Sequence, residues 1–238
     1  MPAPGPVLDW MRHGEAFVLG HVAALDDEGL AGPSRLPGWD RAHVVGHLAR
    51  NADALGNLLR WARTGVVSPM YASVEDRAGG IEAAAAQRPD DLRADVVAAS
   101  GRLLAAMDDM PPEAWDGPIR TARGRPVTGE EVPWMRVRES WVHAVDLGTG
   151  ARWSDVPAGV VDRLLDEVAG GLAGRDDCPA VVLTAIDRQP APSWAIGPGG
   201  GAGPGGQATT VSAPAADLLA WLIGRDNPHG FPGVPAWL

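Results

Sequence analysis

A chain of 238 residues, 45% apolar and 21% charged, is long enough for one or two buried cores and has the composition of a globular protein. Its formal net charge of −10 argues against a nucleic-acid-binding protein, which normally presents a basic face. No apolar run long enough to span a membrane is present, and the N-terminus has no apolar leader. The single cysteine, Cys178, excludes an internal disulfide and is typical of a reducing compartment, so we expect a cytoplasmic protein.

The first 150 residues predict four antiparallel helices with one long crossover connection. Apolar residues at helical spacing indicate a helix over 7–27 and a second over 41–63, with Asp40 as the N-cap of the second. A third helical stretch, over 73–107, is interrupted at Pro89. The fourth helix carries the segment "RVRESWVHAVDLG", which contains the main candidate site residues.

Two capping boxes mark helix starts in this region. Ser73–Asp76 predicts the start of the third helix, and Thr128–Glu131 predicts the start of the fourth. The intervening stretch 108–126 is rich in turn-forming residues and predicts a long loop. The fourth helix is predicted to stop near Gly148.

The composition changes after about residue 150, which predicts two domains, 1–152 and 153–238. The second is predicted to be a small α+β domain, so that the fold class of the chain is α+β. Its predicted elements are a helix over 157–175, strands over 180–186, 193–196 and 208–212, and a helix over 213–227. The glycine-rich stretch 197–206 is too irregular for a phosphate-binding loop.

Two helices carry residues that could form a metal site. Glu139 and His143 lie four residues apart, so they share one helix face. His47 lies on the apolar stripe of the second helix and points toward the interior of the predicted bundle. Two imidazoles and one carboxylate suit zinc with an open fourth position, and they also suit non-haem Fe²⁺.

Simpler interpretations exist for each of these residues. A Glu/His pair at this spacing is more often an ordinary helix-face contact, and a lone core histidine is more often satisfied by a neighbour. His43 precedes His47 by one helical turn, and geometry alone leaves either as the ligand. Asp146 is either a polar residue near the helix end or an acceptor that fixes the tautomer of a ligand imidazole.

Three segments carry a family resemblance that covers nearly the whole chain. "LPGWDRAHVVGHLARNAD" and "VRESWVHAVDLG" resemble, in order and separation, the two signatures of the DinB-like mycothiol-dependent maleylpyruvate isomerase family. "AADLLAWLIGR" resembles the end of that family's C-terminal domain. The resemblance implies an N-terminal DinB-like four-helix metal-binding domain followed by a small sterol-carrier-like α+β domain.

The resemblance also implies a set of site residues. The metal ligands would be His47, Glu139 and His143, with zinc as the usual ion, because the family's ligand is the histidine that precedes leucine in "GHLA". Arg77 matches an arginine that family members place near the metal, and Arg225 in "WLIGR" is the best match to a C-terminal site arginine.

The implied function is a zinc enzyme that uses mycothiol for cis–trans isomerisation by thiolate addition and elimination. One alternative is a mycothiol S-transferase that conjugates the thiol to an electrophile. A second is an iron-dependent oxidase, and a third is a non-catalytic metal-binding protein. The expected partners are a small-molecule substrate and the thiol, with no nucleic acid and no membrane, and the chain would be a monomer or a homodimer.

Overall fold

The structure, a computed structural model, describes residues 5–201 and 209–236. The chain divides into two compact units, one ending at Ala151 and one beginning at Arg152. The predicted α+β class is confirmed: most described residues are helical, and the strands form two small sheets. Across the described residues, no helix combines the length and apolar character needed to cross a membrane.

Four long helices of the first unit form a closed ring of neighbours. In chain order the helices of this unit are α1 (Gly5–Ala23), α2 (Asp27–Ala31), α3 (Arg41–Thr64), α4 (Val74–Ala85), α5 (Pro89–Asp108) and α6 (Glu131–Asp146). Helix α3 packs against α5 and α6, and α1 packs against the same two helices. Helix α4 packs on the outside of α3. The core therefore lies between α1, α3, α5 and α6.

Helix α3 is the best-capped element of the unit. The Asp40 carboxylate accepts a hydrogen bond from the His43 N–H at 2.9 Å, as the predicted N-cap requires. At the other end, Gly65 adopts a left-handed conformation (φ 70°) and closes the last turn. The long buried face between these caps includes Val44, Leu48 and Leu55, and this face fixes which side of α3 meets α6.

Three local predictions differ from the structure. The first predicted helix ends at Ala23, and a separate short helix, α2, follows. The predicted long loop contains a short 3-10 helix and β1 (Pro118–Arg120), which forms a hairpin with β2 (Pro126–Thr128) at and beyond the loop's end. Thr128 therefore pairs with Pro118 in the hairpin and does not cap α6, which begins without a side-chain cap.

The start of α4 is capped largely as predicted. Ser73 Oγ accepts a hydrogen bond from the Asp76 N–H at 3.0 Å. The Asp76 carboxylate reaches back to the N–H of Ala72 at 3.2 Å and not to that of Ser73. The reciprocal part of the capping box is thus shifted by one residue, which still satisfies a backbone donor at the helix entrance.

The second unit consists mainly of two helices and a three-stranded sheet. Its elements are α7 (Ala158–Leu172), β3 (Val181–Ala185), β4 (Ser193–Ile196), β5 (Thr209–Ala213) and α8 (Ala215–Leu222). The strand order is β4-β3-β5, with β3 antiparallel to β4 and parallel to β5. Side chains of β3 alternate between buried and half-buried, as expected for a central strand. The predicted third strand began at Ala208, which lies outside the described residues.

Candidate metal centre

His47 lies deep in the first unit on the face of α3 that meets α6. It is 4% exposed, and its Nε2 lies 2.8 Å from Glu139 Oε2. The Trp39 ring lies against it, with 5.6 Å between ring centroids. Its Nδ1 is buried and has no hydrogen-bond partner in the described structure. An imidazole buried this way needs a polar partner on Nε2, and Glu139 provides it.

Glu139 and His143 extend from one face of α6, one turn apart. His143 Nε2 lies 3.3 Å from the same Glu139 oxygen that contacts His47. The two imidazole rings meet edge to face, with 4.8 Å between their centroids. One donor atom from each of His47, Glu139 and His143 lies within 4.8 Å of the others. The structure thus brings together the three residues that the sequence resemblance singled out.

Asp146 fixes the orientation of one of these imidazoles. Its side chain is fully buried, and its Oδ2 lies 2.9 Å from His143 Nδ1. A carboxylate at Nδ1 holds a proton on that nitrogen, so when His143 loses its other proton the Nε2 lone pair becomes available on the side of Glu139. This is the arrangement of an imidazole prepared to bind a cation through Nε2.

The three groups polarise one another strongly. Burial lowers the pKa of the His47 imidazole, and its hydrogen bond to Glu139 offsets this only in part. Burial opposes ionisation of Glu139, yet hydrogen bonds with His143 and His47 hold the pKa of its carboxyl well below the usual range. Burial also opposes protonation of His143, but the hydrogen bonds to Asp146 and Glu139 raise its pKa to about 9. At neutral pH the metal-free cluster therefore holds an ionised Glu139, a protonated His143 and a neutral His47.

The donor set fits a divalent metal. Ligands 2.0 to 2.2 Å from a tetrahedral zinc lie about 3.4 Å from one another, near the 2.8 and 3.3 Å between the Glu139 oxygen and the two imidazole nitrogens. Two imidazole nitrogens and one carboxylate oxygen leave a fourth position for another molecule. Zinc bound here would replace the proton that His143 carries in the metal-free cluster.

Three of the other four histidines of the chain make contacts elsewhere. His43, the alternative on α3, contacts its N-cap Asp40 through Nδ1 at 2.7 Å and Glu82 of α4 through Nε2 at 3.2 Å. The remaining contacts pair His21 with Thr149 and His229 with Asp217. His43 is thus turned toward α4, away from α6, and it is absent from the cluster.

Arg77 lies on α4 beside a residue that the sequence did not indicate. Its guanidinium carbon lies 5.9 Å from the centre of the Tyr71 ring, and both residues line a cleft between α3, α4 and the segment joining them. Burial and the charge of His143 lower the pKa of His47, and the positive charge of Arg77 lowers it further.

Tyr71 is the residue that sequence reasoning missed. Burial raises the pKa of its phenol, and the negative charge of Glu139 adds to this rise, whereas the hydrogen bond to Arg77 opposes it. Tyr71 therefore lies within electrostatic reach of the cluster of His47, Glu139 and His143. It is the only tyrosine in the chain, in a segment of no regular structure, and that rarity was the one available signal.

Arg225 lies in the second unit, three residues beyond the end of α8. Its backbone N–H donates to the Ala220 carbonyl at 2.9 Å, and its Nη1 donates to the Ile223 carbonyl at 3.3 Å. These contacts fold the chain back on the helix C-terminus, where a cation is favoured by the carbonyl dipoles. Its predicted role in the site stays a prediction.

Comparison with known proteins decides the family. The mycothiol maleylpyruvate isomerase N-terminal domain matches residues 11–148, and the C-terminal domain of the same family, MDMPI, matches residues 155–238. This chain belongs to the mycothiol-dependent maleylpyruvate isomerase family. All three residues of the metal cluster lie inside the first match.

Solved structures agree with this family membership. The crystal structure of a mycothiol-dependent maleylpyruvate isomerase superposes with a TM-score of 0.86 at 31% identity, over 98% of this chain and 96% of that one. A histidine-to-alanine mutant of that enzyme superposes with a TM-score of 0.85 at the same identity and coverage.

Two uncharacterized proteins of Mycobacterium tuberculosis, from strains CDC 1551 / Oshkosh and ATCC 25618 / H37Rv, are 29% identical over 154 residues. The match covers 62% of this chain and 57% of each relative, so it spans little more than half the length of those proteins.

Proposed function

We propose that this chain is a zinc-dependent enzyme that uses mycothiol to isomerise the cis double bond of a maleylpyruvate-like dicarboxylate. The observation that carries the proposal is the cluster of His47, Glu139 and His143, with ligand atoms within 4.8 Å of one another, in a chain of this family. The likeness to the crystal structure of a mycothiol-dependent maleylpyruvate isomerase supports the reaction type.

The thiol supplies the nucleophile in this proposal. A zinc ion held by the three ligands would stabilise the thiolate form of mycothiol near neutral pH. Addition of the thiolate to the double bond forms a C–S bond and moves the π electrons onto the conjugated carbonyl oxygen as an enolate. Rotation about the new single bond, followed by breaking of the C–S bond, restores the double bond as trans and returns the thiolate unchanged.

The residues of this chain then have separate tasks. Asp146 holds the Nδ1 proton of His143 and keeps Nε2 directed to the ligand position. Arg77 offers a planar, permanently charged donor that matches a carboxylate or an enolate oxygen. Tyr71, beside Arg77 in the cleft, offers a phenol proton as a hydrogen-bond donor to the same oxygen. Arg225 is proposed to bind the second carboxylate of the substrate.

The test begins with the metal and ends with the product. Protein purified without added metal is analysed for zinc and iron, and then loaded with zinc and assayed with mycothiol and maleylpyruvate. Chromatography separates the cis and trans isomers, while free thiol is titrated in parallel. We expect zinc near one ion per chain, conversion to fumarylpyruvate, and no net consumption of thiol.

Each alternative predicts a different result in the same assay. If thiol is consumed and a stable thioether forms, from maleylpyruvate or from a panel of electrophiles, the activity is thiol transfer and not isomerisation. Stoichiometric iron without zinc would overturn the zinc assignment. Metal binding without conversion of any substrate would favour a non-catalytic protein and sink the enzymatic proposal.

A further inference from the structure

Two arginines join α3 and α6 on either side of the metal cluster. Arg41, at the start of α3, donates through Nε to the Leu147 carbonyl, just past the end of α6, at 2.7 Å. Arg136, in α6, donates through Nη1 to the Leu48 carbonyl of α3 at 2.9 Å. The two links run in opposite directions between the same two helices. On the α3 side, His47 lies between Arg41 and Leu48. On the α6 side, Glu139 and His143 lie between Arg136 and Leu147.

Arg136 is the buried link, and the hydrogen bonds described for its guanidinium all go to other helices of the ring. Its side chain is fully buried. Nε and Nη2 contact the two oxygens of Glu15 in α1 at 2.7 and 3.1 Å. Nη1 also contacts Asn51 Oδ1 in α3 at 2.9 Å, and Nη2 contacts Ser100 Oγ in α5 at 3.3 Å. A single guanidinium thus fixes the separation of α6 from α1, α3 and α5.

Stability does not explain a buried ion pair of this kind. Removing a guanidinium and a carboxylate from water costs several kcal/mol each, and well-packed apolar side chains often serve stability equally well. What an arginine adds is directionality. Its five N–H donors lie in one plane, so acceptors can bind them only from a narrow set of positions. Arg136 therefore specifies a helix register in a way that a leucine would not.

Arg41 is the half-buried link, and it satisfies carbonyls at two helix ends. Besides the Leu147 carbonyl it reaches the Gly29 carbonyl of α2 through Nη1 at 2.8 Å and the Gly148 carbonyl through Nη2 at 3.4 Å. Free carbonyls at a helix C-terminus favour such a cation. The C-terminal end of α6, which carries His143 and Asp146, is thereby tied to the beginning of α3.

The cluster needs this kind of control, because its ligands come from two helices. Productive metal geometry tolerates a displacement of about 0.5 Å, and a small slide of α6 along α3 would separate His47 from Glu139. We infer that Arg41 and Arg136 are positioning residues that hold α3 and α6 in the register at which the three ligands converge. The inference rests on the metal site of the proposed function.

Zn²⁺ and Co²⁺ binding to the full chain test this role. The variants are Arg41→Gln and Arg136→Lys, with Arg93→Gln as the matched control. Arg93 of α5 also bridges elements, donating to the Leu25 carbonyl at 3.1 Å and pairing with Asp27 at 2.8 Å, but neither element carries a ligand. Zinc affinity is measured by competition with a chromophoric chelator, the visible spectrum of the Co²⁺ form reports ligand geometry, and circular dichroism checks folding.

We expect both test variants to lose about tenfold or more in zinc affinity and to change the Co²⁺ spectrum, while Arg93→Gln keeps wild-type values. If Arg136→Lys does not fold, Arg41→Gln decides alone. Wild-type affinity and spectrum in a folded Arg41→Gln protein, or an equal loss in Arg93→Gln, would overturn the inference. A wild-type chain that binds neither ion would instead overturn the proposed function, so the two failures are distinguishable.

Discussion

Two histidines one turn apart on α3 meet different surroundings, and this difference defines the site at the residue scale. His43 is held by Asp40 and Glu82, whereas His47 is buried against Glu139. Helical spacing alone left either as the ligand, because residues four apart face the same way. The resemblance to the family favoured His47, and in the structure it is His47 that joins the cluster with Glu139 and His143.

Replacing each histidine in turn tests this distinction. We expect His47→Ala to lose stoichiometric zinc, because only two of the three proposed ligands remain. His43→Ala should keep zinc near one ion per chain, since the His43 ring nitrogens contact Asp40, the N-cap of α3, and Glu82 of α4. Metal content after gel filtration, measured by mass spectrometry, checks both. Equal zinc in wild type and His47→Ala would show that the proposed ligand set is wrong.

Metal binding should release a proton from one identified residue. His143 has a pKa of about 9 in the metal-free cluster, while the pKa of His47 is lowered and that of Glu139 lies well below its usual range. At pH 7 only His143 must lose a proton to bind zinc, so we expect release of about one proton and an apparent affinity that rises toward pH 9. Calorimetry in buffers of different ionisation enthalpy measures this number. A value near zero would show that His143 is already neutral.

The same shift predicts how the metal-free protein responds to pH. The folded-state pKa of His143 lies above its unfolded value of 6.5, so its contribution to stability is complete below pH 6.5 and disappears as pH rises to about 9. The free energy of unfolding of the metal-free chain should therefore fall across this range. Chemical denaturation at several pH values, with and without a chelator, measures it; a constant free energy would contradict the ion pairs assigned to His143.

At the scale of elements, the approach of α4 to α3 controls what lies beside the cluster. Gly46, adjacent to His47, faces α4 so closely that a Cβ there would lie 2.9 Å from the Ala84 Cβ, 3.2 Å from the Ile81 carbonyl oxygen and 3.2 Å from the Ala85 nitrogen. Two of these three atoms belong to the backbone and cannot move without shifting the helix. Since Arg77 lies on α4, the contact at Gly46 helps to set the distance between Arg77 and the proposed metal ligands.

An alanine at this contact separates packing from metal binding. We expect Gly46→Ala to lower the free energy of unfolding by about 1 to 3 kcal/mol through overpacking and to reduce kcat/KM by displacing α4. Zinc content should be unchanged, because the ligands lie on α3 and α6. Gly56→Ala on the same helix is the control: its Cβ would meet nothing within 4 Å, so a gain of up to about 1 kcal/mol is expected. A Gly46→Ala protein as stable and active as wild type would refute the argument.

At the scale of the whole molecule, the metal cluster belongs entirely to the first unit, whereas Arg225 belongs to the second. Each unit has its own core: the first between four long helices, the second between α7, α8 and a three-stranded sheet. The family match covers both units, so the proposed activity is a property of the whole chain. Metal binding and substrate turnover should therefore respond differently to changes in the second unit.

Arg225→Ala tests that division. We expect unchanged zinc content and an unchanged Co²⁺ spectrum, together with a higher KM or lower kcat for the dicarboxylate, because a carboxylate-binding cation is lost. Arg175→Ala is the control, since Arg175 is an arginine of the same unit that pairs with the exposed Asp177. Steady-state kinetics with the zinc-loaded variants measures the effect. Identical kinetics in the two variants would remove Arg225 from the site.

The helices of both units were largely predictable, and so were the strands of the second unit, because they depend on local periodicity and capping. The α+β class, Asp40 as the cap of α3 and the shared face of Glu139 and His143 all follow from residues a few positions apart. The hairpin over 118–128 was missed because each of its strands has only three residues and the stretch between them is rich in turn-forming residues. That hairpin is also why Thr128 does not cap α6.

Which side chains share a helix face can be read from the sequence, because the backbone repeats every 3.6 residues whatever surrounds it. Which faces meet depends on the packing of the folded chain. The contact of His47 with Glu139 spans 92 positions, and it depends on how α3 and α6 pack. The same packing brings Tyr71 within reach of the charge on Glu139 and buries Arg136 among four helices. These relations arise from side-chain volumes and hydrogen bonds summed over the whole core, and no short stretch of sequence contains them.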